Sequence, residues 1–205
     1  AVSDGMGSRE HAEIGAELAV NYVVQNARNL YERFMEVHGA SGYNGLYKRV
    51  IVDFFSSFAS YTVSNAPSFG VKHSDISCTL SFAIIGPEWT VMGSLGDSMI
   101  HIKAGRAISH FNGNSGITSP YETYDATSMG YSDRVEARAV VTSSVYGILI
   151  TSDGCNDMGI DPTNINQFSP LLYRVVSGEI TPRKAAETLT RVTRDDCSFA
   201  FYVND

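Results

Sequence analysis

Two long stretches of helical spacing open the chain. Between about Ser8 and Val37 there is no proline, and Ile14, Leu18, Val24, Leu30 and Phe34 recur among polar positions, which predicts a long amphipathic helix. Gly7 and Ser8 supply its entry, and Glu10 and Glu13 put negative charge at the positive end of the helix dipole. Gly39, Gly42 and Gly45 break the pattern. A second helix is predicted from about Leu46 to Asn65, with Val50, Phe54, Phe58 and Tyr61 on one face and Pro67 beyond its end.

From Asp75 the period shortens to two. Ile76, Cys78, Leu80, Phe82 and Ile84 alternate with Ser77, Thr79, Ser81 and Ala83, the pattern of a strand with one buried face. Gly86-Pro87-Glu88 is a turn, and Trp89 to Leu95 returns as the second arm of a hairpin. Gly96-Asp97 is expected to end that run, with Met99, Ile100 and Ile102 resuming it before Gly105. Ser109 to Asp133 lacks a period and reads as a long loop, a length that in a compact domain marks a functional or mobile segment. Strands return at Val135 to Val141 and Tyr146 to Thr151. Helices follow at Asn166 to Ser177 and at Pro182 to Val192, the latter capped by Thr181, and a strand at Ser198 to Val203 closes the chain. Helices, a run of strands, helices and a last strand predict an α+β architecture of antiparallel sheets covered by long helices.

Size and composition narrow the classes. The 205 residues suit one domain, 1–205, and 43% hydrophobic with 18% charged residues is ordinary globular composition. No apolar run approaches the roughly 18 residues of a membrane span. A net charge of -7 without a Lys/Arg cluster argues against nucleic acid as a partner. Cys78, Cys155 and Cys197 are odd in number and lack CxxC spacing, which fits free thiols in a reducing, cytoplasmic setting. Ala1-Val2-Ser3-Asp4 is not a signal peptide. The chain begins without Met and in mid-motif, so a preceding segment, cleaved or carried on another chain, is expected.

Candidate chemistry lies in four acidic segments at strand boundaries: Ser3-Asp4-Gly5, Gly96-Asp97-Ser98, Ser152-Asp153-Gly154 and Arg194-Asp195-Asp196. Each alone reads as a turn. Together, Asp4, Asp97, Asp153 and Asp195 are hard oxygen donors suited to Mg²⁺ or Mn²⁺, provided that a layered sheet gathers them at one end. The five histidines lack HExxH spacing, and neither GxSxG nor GxxxxGK[ST] occurs, which leaves a zinc protease, a serine elbow and a P-loop without support.

The same residues carry a family resemblance. Val2-Ser3-Asp4-Gly5-Met6-Gly7-Ser8, Ser77-Cys78-Thr79, Leu95-Gly96-Asp97-Ser98, Ile150-Thr151-Ser152-Asp153-Gly154 and Arg194 to Phe201 resemble, in order, the motifs of the bacterial-type metal-dependent PP2C (PPM) protein phosphatases. The resemblance implies an αββα sandwich of two antiparallel sheets flanked by helix pairs. It implies two core Mn²⁺ or Mg²⁺ ions, with Asp4 bridging, Gly5 contributing its carbonyl, and Asp153 and Asp195 binding the second ion. Asp97 matches a third, weaker site, and Asp196 stands beside the ligand set. The implied activity is hydrolysis of phosphoserine or phosphothreonine proteins by a water activated between two ions. Met6 stands where many eukaryotic members carry a histidine, and methionine has no proton to give. The family's phosphate-contacting arginine precedes the position of Asp4, and Arg9 has no counterpart among the motifs. Two other readings stay open: a catalytically weak regulatory module of the same fold, and a phosphohydrolase of small molecules.

Overall fold

Helix α1 spans Ala12–Ser41 and α2 spans Leu46–Asn65. The computed structural model describes residues 1–41, 46–114, 124–154, 174–175, 177–190 and 198–204. The predicted start of α1 at Ser8 is too early. Arg9 N–H donates to the Met6 carbonyl at 2.8 Å and His11 N–H to the Asp75 carbonyl at 3.0 Å, so these amides serve a turn and the end of the short 3-10 helix His73–Asp75. Arg9 therefore lies in a turn, not on the helix.

The buried stripe of α1 contains Leu18, Val23, Leu30 and Phe34, whereas Val24 is 70% exposed. A one-residue step rotates a side chain by roughly 100°, which is why Val23 points inward and its neighbour outward. In α2, Val50, Phe54 and Phe58 are buried as the period demands, joined by Ile51 and Phe55.

Strand β1 (Leu80–Ile85) pairs antiparallel with β2 (Trp89–Ala104), which runs for 16 residues straight through Gly96 and Asp97. The sequence reading ended the strand there; instead, it bends. Gly96 adopts φ +103°, a region costly to any residue with a Cβ, and the ladder to the next strand slips between Gly96 and Ile100. The bend hands β2 from one sheet to another. Its first half pairs with β1 and with β4 (Glu136–Val141), its second half with β3 (Ala107–Gly113) and β5 (Val145–Thr151), and β6 (Phe199–Val203) adds beyond β5.

Three apolar layers result. The first, built on Phe34, Phe55, Phe58, Leu80, Phe82 and Leu95, joins the helix pair to the first sheet. The second, with Met92, Ile100, Ile102, Phe111, Ile148 and Ile150, lies between the sheets. The third places Val175, Ile180 and Ala185 against Phe201 and Val203 of the second sheet. Ala185 belongs to α3 (Pro182–Thr190), whose Lys184 N–H is capped by Thr181 Oγ1 at 3.2 Å. This is the expected α+β sandwich of two antiparallel sheets with helices outside.

Two expectations change. Part of the loop assigned to Ser109 to Asp133 is strand, because Ser109 to Gly113 complete β3, and Met129–Arg134 form a 3-10 turn. The alternation through β1 also does not separate a buried face from a wet one. Ser77, Thr79 and Ser81 are as buried as their apolar neighbours, since the second sheet covers the face that a lone sheet would leave to solvent. The predicted helix from Asn166 to Ser177 falls largely outside the described residues, apart from a helical step at 174–175.

Candidate functional site

The chain's first residues form an added edge on the first sheet. Val2 bridges Ser81 and Gly5 bridges Cys78, both antiparallel. Thr79 N–H donates to the Asp4 carbonyl at 2.8 Å and Met6 N–H to the Ser77 carbonyl at 3.0 Å. Gly5 thus sits in a non-hydrogen-bonded pair, and its own carbonyl points away from β1. Asp4 is pinned a second time, its N–H donating to Thr79 Oγ1 at 3.0 Å.

Asp97 follows the Gly96 bend and so sits inside a strand rather than at its end. The bend is level with Asp4: a Cβ added to Gly96 would lie 2.7 Å from the Thr79 Cβ. Asp153 is brought to the same end from the second sheet. Met99 pairs with Thr151 in the ladder of β2 and β5, and Asp97 and Asp153 lie two residues past that pair in the same direction. Ser152 is locked to the last strand, its N–H donating to the Ser198 carbonyl at 2.8 Å while its Oγ accepts from Ser198 N–H at 3.0 Å. Asp195 and Asp196 lie outside the described residues. Asp4, Gly5, Asp97 and Asp153 are all half-buried, open enough to reach a ligand.

No three His, Cys, Asp or Glu side chains among the described residues are grouped so as to hold a metal ion. The donors nevertheless suit a hard divalent cation: an outward-facing carbonyl at Gly5 and carboxylates on converging strand segments. Asp195 is the expected ligand not described.

One acidic residue escaped the sequence reading. Asp125 Oδ1 accepts from Cys78 N–H at 3.2 Å, Thr127 N–H at 2.9 Å and the Thr127 hydroxyl at 2.8 Å, while Ala126 N–H donates to the Cys78 carbonyl at 2.7 Å. It fastens residues 124–127 beside the Asp4–Gly5 segment. The signal was an Asp followed two positions later by Thr, the pattern of a local side-chain turn.

Cys78, at the centre of this arrangement, is a fully buried free thiol. Burial pushes it up to about 12, so it stays protonated at neutral pH and does not serve as a thiolate nucleophile.

Two histidines pair within the second sheet. His101 and His110 face each other across β2 and β3 with ring centroids 5.9 Å apart. Burial first, and the neighbouring His110 second, lower His101 to about 3. An imidazole in the unfolded chain takes its proton near pH 6.5. Stability is therefore fully present above that pH and is lost as pH falls toward 3, by about 2 kcal/mol at pH 5. Urea unfolding at pH 7.5 and pH 5 is expected to show this slope in the natural chain and a flatter one in His101→Leu; equal slopes would refute the assignment.

A family model described as protein phosphatase 2C matches residues 1–192. The chain belongs to the protein phosphatase 2C family. Comparison with curated protein sequences gives no match. Among solved structures, the serine/threonine phosphatase Stp1 from Staphylococcus aureus superposes with a TM-score of 0.60 at 16% identity, covering 99% of this chain and 82% of that one. PppA of Pseudomonas aeruginosa, described as a key regulatory component of T6SS, gives 0.61 at 14% identity, covering 97% and 82%. Serine-threonine phosphatase 2C from Toxoplasma gondii gives 0.59 at 13% identity, covering 97% and 82%. At these identities the likeness is one of fold, and the PP2C-type sandwich is what this chain shares with them. Among the described residues, no helix is long and apolar enough to cross a membrane.

Proposed function

We propose that this PP2C-family chain, taken as one domain over residues 1–205, is a Mn²⁺- or Mg²⁺-dependent phosphatase of phosphoserine and phosphothreonine proteins. The observation that supports the reading is the strand register that directs the Asp4–Gly5 segment, the Gly96–Asp97 bend and the segment bearing Asp153 toward one end of the sandwich. Asp4, the Gly5 carbonyl, Asp153 and Asp195 are the proposed core ligands, with Asp97 at a peripheral position. When bound, a pair of divalent ions would supply an ionised water and electrostatic stabilisation of the transferring phosphoryl group.

The chain's own part is to position these donors. Thr79 fixes the Asp4 backbone and Ser152 ties Asp153 to the strand that follows Asp195. Cys78 is held protonated, which argues against a thiolate nucleophile, and Met6 has no proton to give a leaving group.

The test compares hydrolysis of an aryl phosphate with Mn²⁺ and with EDTA. Turnover with Mn²⁺ and its loss with EDTA are expected. Turnover undiminished by EDTA would refute metal dependence, and absence of turnover would favour the regulatory module. A preference for phosphopeptides over phosphorylated metabolites separates the protein phosphatase from a small-molecule phosphohydrolase.

A further inference from the structure

Thr79 and Ser98 stand between the two carboxylate-bearing segments of the first sheet. Thr79 is 2% exposed and Ser98 fully buried. Thr79 Oγ1 accepts from Asp4 N–H at 3.0 Å and lies 3.0 Å from Ser98 Oγ. The Thr79 backbone grips the same segment from its other atoms: its N–H donates to the Asp4 carbonyl at 2.8 Å and its carbonyl accepts from Ser3 Oγ at 2.5 Å. On the far side, Gly96 packs against the Thr79 side chain closely enough that an added Cβ would sit 2.7 Å from it. The hydroxyls of Ser81 and Ser94 donate to the Ser98 carbonyl at 3.3 and 3.4 Å, holding the strand just past Asp97.

A buried hydroxyl is costly to desolvate unless it is bonded, and valine would fill the same volume without that cost. The Thr79 hydroxyl spends its bonds on the two segments that bear Asp4 and Asp97. We propose that it is a positioning group for divalent-cation binding, setting the Asp4–Gly5 backbone against the Gly96–Asp97 bend through Ser98 before a cation arrives. The inference rests on the metal-dependent reading given above. Removing the hydroxyl deletes no ligand, but it takes away the acceptor of Asp4 N–H and uncouples the two segments, so cation affinity falls.

Calorimetric titration of the full chain with Mn²⁺ alone tests this, without reference to turnover. Thr79→Val is expected to weaken binding by about tenfold or more, the scale seen when a group supporting a metal ligand is removed, while Thr79→Ser, which keeps the hydroxyl, stays within about threefold of the natural chain. A folded Thr79→Val protein with unchanged affinity would overturn the proposal. So would a Thr79→Ser protein as weak as Thr79→Val, which would assign the effect to side-chain shape. Should Thr79→Val not fold, Ser98→Ala replaces it: weakened binding supports the coupling and unchanged binding overturns it. A natural chain that does not bind Mn²⁺ would instead overturn the metal-dependent reading itself, an outcome distinct from failure of the Thr79 role alone.

Discussion

Asp153→Ala is expected to lower Mn²⁺-dependent phosphate-ester hydrolysis by roughly 10²–10³-fold, the scale on which losing one preorganised charge-stabilising group acts. Asp153 is half-buried two residues past the end of β5, and its neighbour Ser152 makes the two hydrogen bonds to Ser198 that close the sheet. The variant should therefore keep its fold, with a circular dichroism spectrum and melting temperature close to those of the natural chain. The carboxylate's proposed work is to hold a cation, so Asp153→Asn, which keeps shape and loses charge, should be nearly as inactive. Excess Mn²⁺ should recover part of the activity of Asp153→Asn and little of that of Asp153→Ala. A folded Asp153→Ala enzyme with full turnover would remove Asp153 from the ligand set.

The largest effect on stability is expected at Gly15. Helix α1 crosses the approach to β1 so closely that a Cβ on Gly15 would lie 1.7 Å from the Ile76 carbonyl oxygen and 2.7 Å from its carbon. These are backbone atoms, and Ile76 is itself fully buried, so no side chain can swing aside. Gly15→Ala must push the helix off the sheet and open the layer that contains Leu18, Ile76, Leu80 and Phe82. A cost of about 4 kcal/mol or more is expected, above the roughly 1–3 kcal/mol usual for overpacking because backbone must move, and at this chain length it lowers the melting temperature by about 8–16 °C. Gly7→Ala is the control: nothing lies within 4 Å of its added Cβ, so stability should move by no more than about 0.5 kcal/mol. Equal melting temperatures for the two variants would contradict the packing described for α1.

The layered fold was legible because its elements are read from local periods. Val50, Phe54 and Phe58 on α2, and Leu80, Phe82 and Ile84 on β1, face the same apolar layer as their spacing requires. The candidate site was legible in part. Asp4, Gly5, Asp97 and Asp153 were marked by chemistry and by motif, and the tertiary structure brings their segments toward one end. Asp97 was misplaced at a strand end because Gly-Asp normally signals a turn; here the positive φ of Gly96 bends a continuous strand instead. Asp125 was missed because its Asp-x-Thr pattern reports only a local turn, while the bond from Cys78, 47 residues away, leaves no local trace.

By itself the sequence determined the order of the described helices and of the strands other than β3, most of the apolar residues that they bury, and the acidic residues offered as ligands. Those properties follow from the backbone's own periods of 3.6 and 2 and from side-chain chemistry, neither of which needs a partner. Only the tertiary structure decided which polar positions are buried, since Thr79, Ser81, Ser94 and Ser98 become interior when a second sheet closes over them. It also decided which acidic segments share a neighbour. That depends on strand register and on one bend at Gly96, both settled by packing between elements far apart in the chain.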